Sequence, residues 1–277
     1  MQSNFQYKRN QKSNKHLHYA WFPAMHTQID LILCHSSEER RERTASRIYD
    51  EIIALEKMAS YFDKESELYR LNQCASIEPV AVSPELYYII ELSLKYNTKT
   101  FGCFDITVKS DCFDNNTIQQ IQLTKDAQTV FFKCPNISID LSGFLRGYAL
   151  EKIRAILSAE GLKDAFINIG SSSILAVGNR PPETGWKINC RSGNSNEPPS
   201  TIYLQNECFS VSGNDTTEHR HIICPSTGEY VDGIGYVGIV TRNAIDGDVL
   251  STALCVATME QEQSILENFA IDQMILF

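Results

Sequence analysis

"FLRGYALEKIRAILSAEGLKDAFINIGSSSILAVG", residues 144–178, decides the fold class. Its first half carries apolar residues at helical spacing and closes on Gly161, the residue type that most easily ends a helix in the left-handed conformation. Its second half holds two apolar runs, "DAFINIG" and "SSILAVG", around a turn of small residues. A helix that feeds two consecutive strands breaks the strict strand–helix alternation of a doubly wound parallel sheet.

The neighbouring segments agree. "AMHTQIDLILC" predicts a strand at about 26–34. "SSEERRERTASRIYDEIIALEKMAS" opens on serines and acids and then shows helical spacing at Ile48, Ile52, Ile53, Leu55 and Met58. In "SPELYYIIELSLKYNTKT", Ser83 predicts an N-cap and Pro84 sits in the first turn. "FGCFDITVKS" starts extended, and "TVFFKC" and "NISIDLS" are short strand signals. Residues 179–200 are rich in Gly, Pro, Asn and Ser, with a short strand at "WKINCR". "IYLQNECFSVSG" reads as one strand, "GYVGIVT" as a buried strand, "DGDVLSTALCVATM" as a helix and "QMILF" as a last strand. The whole predicts an α+β fold of mixed strands and helices in a single compact domain over 19–277. The polar, basic residues 1–18 are expected to form a loosely attached, disordered arm.

Composition narrows the function classes. The chain has 277 residues, 43% hydrophobic and 21% charged, with a net charge of −9. That balance disfavours a general affinity for nucleic acid or an anionic membrane. No run of 18 apolar residues exists, so no transmembrane segment is expected. Nine cysteines form no C-x-x-C pair, and several lie in apolar runs. They predict reduced, buried thiols and hence a cytoplasmic location, with export or a lipid anchor as the expectation if a signal segment was trimmed.

Several short stretches could carry chemistry. "GDVLSTAL", 247–254, sets a carboxylate (Asp248) and a hydroxyl (Thr252) four residues apart, on one face of a helix. Why two oxygens share that face is open at this point; Asp248 as an N-cap and Thr252 as packing is the structural reading. In "IDLSGFLRGYALEKI", a strand ends at Asp140 and a helix starts after a small-residue turn, where backbone N–H groups can hold phosphate. Gly143 and Gly147 would admit a ligand close to the backbone, while Asp140 and Ser142 could simply cap the helix. "INIGSSSILAVG" is a donor-rich turn or a plain hairpin. His219, His221 and Cys224 in "EHRHIIC" suggest a soft-metal site without a visible fourth ligand, or a single His221 working on a phosphate or hydroxyl. Asp105 in "FGCFDITV" is either solvent-facing or partnered inside a site. Tyr61, Phe62 and Tyr69 could stack on a flat ring or belong to the core.

Taken together, these segments resemble the FAD:protein FMN transferase family, the ApbE-type flavin transferases formerly labelled thiamine-biosynthesis lipoproteins. "AMHTQIDLIL", "YFDKESELYRLN", "GCFDITV", "IDLSGFLRGYALEKI", "NIGSS", "SVSGN", "HIICPSTG" and "DGDVLSTAL" follow the order of that family's motifs from about residue 20 to the C-terminus. The resemblance implies magnesium held by Asp248, Thr252 and the Gly143 carbonyl, and FAD contacted by Met25, Tyr61, Cys103, Phe104, Asp105 and Asp140. It gives His221 the role of catalytic base or proton carrier. The implied reaction moves FMN from FAD to a Thr or Ser hydroxyl of an acceptor flavoprotein of a redox complex and releases AMP. An FAD pyrophosphatase, or a catalytically weak FAD-binding protein on the same scaffold, is the alternative. The sequence departs from the pattern at His26 (Gly), Arg146 (Lys), Ser171 and Ser172 (Gly-Asp) and Cys224 (Asp), and it lacks the usual Trp-Gly-Phe-like stretch before "IDL".

Overall fold

Three helices start where a serine ends the preceding chain. Ser37 accepts the Arg40 N–H and opens α1 (Glu38–Ala59). Ser66 does the same for α2 (Glu67–Cys74) and Ser83 for α3 (Pro84–Lys99), each satisfying a donor that the first helical turn leaves unpaired. α4 spans Ser142–Ala159 and α5 spans Ala244–Leu254. α6 (Met259–Leu266) begins with a reciprocal capping box between Thr258 and Gln261. The computed structural model describes residues 17–111, 113–190, 200–214, 222–232 and 235–276, and the backbone of one strand at 6–9.

The strands, in chain order, are β1 (Gln6–Arg9), β2 (Leu17–Ala24), β3 (Thr27–Cys34), β4 (Val80–Ala81), β5 (Ile121–Thr124), β6 (Thr129–Phe132) and β7 (Asp164–Ile169). β8 (Ser173–Val177), β9 (Trp186–Cys190), β10 (Ser200–Leu204), β11 (Glu207–Asn214), β12 (Gly235–Thr241) and β13 (Gln273–Leu276) follow. Eight of them form an antiparallel sheet in the order β1-β2-β3-β7-β8-β11-β12-β13. β4-β6-β5 make a small second sheet and β9-β10 a ribbon.

Alternation along the strands divides the core in two. Ile29, Leu31 and Leu33 of β3 and Ala165, Ile167 and Ile169 of β7 bury their side chains in the larger cluster, shared with α1 and α4. Ile174, Ala176 and Phe209 face the other way and are covered by the ribbon, whose Trp186 stacks on Phe166 at 5.3 Å. Each fully buried Leu or Ile stabilises the fold by roughly 1.5–3 kcal/mol over an exposed one. α4 buries Phe144, Leu145, Tyr148, Leu150, Ile153 and Leu157 because it lies between α1 and α5 and rests on β7 and β8.

The α+β single-domain expectation holds, with local corrections. Residues 6–9, expected in a loose arm, pair with β2, and β2 itself begins at Leu17; residues 1–5 and 10–16 lie outside the described residues. "FGCFDITVKS" is a run of turns rather than a strand, and residues 137–141 are irregular. "IYLQNECFSVSG" divides at Asn206, whose φ of 62° turns the chain, so that β10 joins the ribbon and β11 the main sheet. The C-terminal helix ends at Leu254, and α6 is a separate element.

Candidate metal and nucleotide site

α5 positions the first group. Its N-cap is Asn243, whose side chain accepts the N–H groups of Ile245 and Asp246. Asp248 is therefore inside the helix and buried, which removes the capping alternative. Its carboxylate faces α4 and β8: Oδ2 accepts the Gly147 N–H at 2.6 Å and Oδ1 accepts the Ser173 hydroxyl at 2.7 Å. Burial pushes this carboxyl up to about 6, against the pull of those two donors and the Arg146 guanidinium. One turn later, the Thr252 hydroxyl donates to the Asp248 carbonyl at 3.1 Å and lies 3.2 Å from Ser212 Oγ.

α4 supplies the opposite wall. A Cβ added at Gly143 would meet Thr252 Oγ1 at 3.8 Å and the Phe104 ring at 3.4 Å, so the Gly143 backbone and the Thr252 hydroxyl are neighbours. Gly147 serves a different purpose from the expected ligand approach. A Cβ there would lie 2.5 Å from the Ala244 carbonyl oxygen, so glycine is what lets α4 and α5 touch backbone to backbone.

Turns bring in the remaining residues. Asp140 is buried; its Oδ1 accepts the Ser142 N–H at 2.9 Å, and its Oδ2 is paired with Lys109 at 2.5 Å. Lys109 Nζ also lies over the rings of Tyr61 and Phe62, at 5.0 and 5.5 Å. Asp105 is partnered rather than solvent-facing: it accepts both the N–H and the hydroxyl of Thr107, which is what folds this stretch into a turn. Burial raises its carboxyl above the usual range, and the two Thr107 bonds oppose that rise. The Asp140 N–H donates to the Ile106 carbonyl at 2.8 Å, tying the two acid-bearing turns together.

These groups line one cavity of about 870 Å³, which includes Cys103, Phe104, Asp105, Asp140, Gly143, Arg146, Ser212 and Thr252. A smaller cleft opens from it through Asp140, Ser142 and Arg146 and is walled by Met25, His26, Tyr61, Phe62 and Leu145. Met25 and His26 form the two-residue turn between β2 and β3, both at positive φ (52° and 57°). Such a turn ordinarily calls for Asn or Gly, so this one holds two bulky side chains against their backbone preference at the edge of the cleft. Of the residues singled out in the sequence, Met25, Tyr61, Cys103, Phe104, Asp105, Asp140, Gly143 and Thr252 line these two spaces, and Asp248 stands behind Thr252. His219 and His221 lie outside the described residues.

Four positioning residues were not singled out as such. Asn72 clamps Ile139 with two hydrogen bonds of 2.9 Å and so fixes the approach to Asp140. Ser173, Gly147 and Lys109 hold the two acids. Asn72 had a visible signal, since it ends the "YFDKESELYRLN" motif; the other three partners come from distant parts of the chain. Two departures from the motifs touch each other: Arg146 Nη1 donates to Ser172 Oγ at 2.7 Å.

The donor set fits a hard cation: one carboxylate, one hydroxyl and one backbone carbonyl, all oxygen. Among the described residues no three His, Cys, Asp or Glu side chains converge, and His219 and His221 of the soft-metal alternative lie outside them.

Known proteins resemble this sequence and fold over most of the chain. The chain is 24% identical over 263 residues to an FAD:protein FMN transferase of Chlamydia muridarum, covering 83% of this chain and 80% of that one. It is 22% identical to the protein of the same name from Klebsiella pneumoniae, covering 83% and 76%. Among solved structures, the flavin transferase ApbE from Vibrio cholerae superposes with a TM-score of 0.78 at 20% identity, over 95% of this chain and 93% of that one. The ApbE protein from Thermotoga maritima gives 0.78 at 22% identity, over 91% and 90%. The model of the ApbE family matches residues 25–275, and the chain belongs to that family.

Proposed function

We propose that this protein transfers FMN from FAD to a Thr or Ser hydroxyl of an acceptor flavoprotein, with magnesium, and releases AMP. The observation that carries the reading is the meeting of α4 and α5 at the cavity: Gly143 and Thr252 line it as neighbours, and buried Asp248 stands one turn behind Thr252. The names of the relatives point the same way.

Asp248, Thr252 and the Gly143 carbonyl would hold the magnesium, which when bound supplies positive charge to the pyrophosphate. Arg146 lines both the cavity and the cleft and adds a fixed cation where the phosphates would lie. Met25, Tyr61 and Phe62 offer the cleft a flat apolar surface for a ring. The acceptor oxygen forms a bond to the FMN-side phosphorus, the bond from that phosphorus to the bridging oxygen breaks, and AMP leaves with that oxygen. The acceptor's proton needs a base; the family motif assigns it to His221. Most of the rate enhancement would come from alignment and charge neutralisation.

The test is direct. Incubated with FAD, magnesium and a flavin-accepting domain, the protein should add the mass of FMN to that domain. Failure with every divalent metal tried would overturn the proposal. Release of FMN and AMP without any acceptor, and no transfer with one, would favour hydrolysis.

A further inference from the structure

A third space opens onto the same centre. A pocket of about 380 Å³ shares Cys103, Asp105 and Pro225 with the large cavity and no lining residue with the Tyr61 cleft. Asp105 is the single charged residue in its lining, which otherwise presents the amides of Asn97, Asn115, Gln119 and Gln261. Among the described residues no Lys or Arg lines it, so this lining offers no cation to a phosphate. Amide side chains offer donors and acceptors together, the combination that an extended polypeptide's backbone demands.

Phe101 stands at this pocket, 55% exposed, with a left-handed φ of 51°. An exposed bulky residue held in a conformation that disfavours it is unusual, and such strain concentrates at functional sites. Exposed aromatic rings are also favoured anchors of protein–protein contacts. FAD has two ring ends, and apolar side chains line both spaces: Met25, Tyr61 and Phe62 the cleft, Val211 and Tyr236 the large cavity. The reaction needs one more entrant, and this pocket joins the large cavity through Cys103, Asp105 and Pro225.

We propose that the pocket beside Phe101 docks the polypeptide segment carrying the acceptor hydroxyl. The proposal rests on the transferase reading above. Gln119 and Phe101 are exposed and belong to neither the oxygen cluster nor the ring cleft, so Gln119→Trp fills the pocket and Phe101→Gly removes the anchor while relaxing the backbone.

The experiment titrates FAD-loaded protein with a threonine-bearing flavin-acceptor domain whose threonine is replaced by valine, followed by fluorescence anisotropy. FAD binding is measured separately by flavin fluorescence. Each variant should weaken acceptor binding by about ten-fold or more and leave the FAD Kd within about two-fold. Unchanged acceptor binding would overturn the proposal, placing the docking site elsewhere. A parallel loss of FAD affinity would also overturn it, assigning the pocket to an end of FAD. Transfer to the intact acceptor by the parent protein is scored apart; its failure would sink the transferase reading without deciding the docking pocket.

Discussion

The main-chain N–H of Gly147 donates to Asp248 Oδ2 at 2.6 Å, joining α4, which carries Gly143, to α5, which carries Asp248 and Thr252. In a regular helix the acceptor for that N–H is the carbonyl four residues earlier, which is Gly143. The carboxylate thus competes for a donor with the very oxygen expected to face the metal.

Gly147→Ala should therefore damage both fold and site. Its Cβ would press on backbone atoms of Ala244 and Ile245, which cannot swing aside as a flexible side chain would. Overpacking of this kind costs about 1–3 kcal/mol. Chemical denaturation should show that loss, and FAD binding in magnesium should weaken with it; an unchanged midpoint would mean that the helices separate freely.

Asp248→Asn separates charge from shape. In the metal-free protein the Asp248 carboxyl titrates at about 6, above the ordinary value near 3.9 of an unfolded chain. Across pH 4–6 the folded state binds more protons than the unfolded one, so this group's contribution to stability falls as pH rises through that window. The total is on the order of 3 kcal/mol. Without metal, the Asn variant should lack this fall and match or exceed the parent's stability at pH 7. It should also lose the stabilisation that magnesium gives the parent. A variant that still gains stability from magnesium would move the metal elsewhere.

Thr252→Ala should reduce transfer less than Asp248→Ala. Water can take the place of a neutral hydroxyl ligand, whereas the carboxylate is the one charged ligand of the three. Steady-state rates over a magnesium titration would show the order, and the reverse order would remove Thr252 from a merely supporting role.

Asn72→Ala tests positioning. Losing both bonds to Ile139 should cost about 1–3 kcal/mol of stability and loosen the turn that holds Asp140. The expected signature is a raised KM for FAD with a smaller change in kcat. A change confined to kcat would contradict a binding role for Asp140.

What the sequence revealed and what it hid follow from range. Ser37 and Ser83 announce their helices because a cap is a local bond between neighbours. β2 escaped notice because "LHYAWFPA" follows directly on a basic stretch and contains Pro23, yet it is an interior strand paired on both sides. "GCFDITV" looks extended by its β-branched residues, but Asp105 bonds to Thr107 and curls it. The order of motifs was enough to gather Asp105, Asp140, Gly143 and Thr252 into one cavity. The partners that hold the acids, Lys109 on Asp140 and Ser173 and Gly147 on Asp248 (75 and 101 residues away), exist only once the chain has folded.

The most direct test of the central claim is a crystal structure of the protein with magnesium and FAD. The account predicts one cation bound at about 2.1 Å by an Asp248 carboxylate oxygen, the Thr252 hydroxyl and the Gly143 carbonyl, with a pyrophosphate oxygen on its open side. If the Asp248 and Thr252 oxygens stay more than about 5 Å apart, or the pyrophosphate binds away from both, they cannot share a metal of that size, and the proposed centre is wrong.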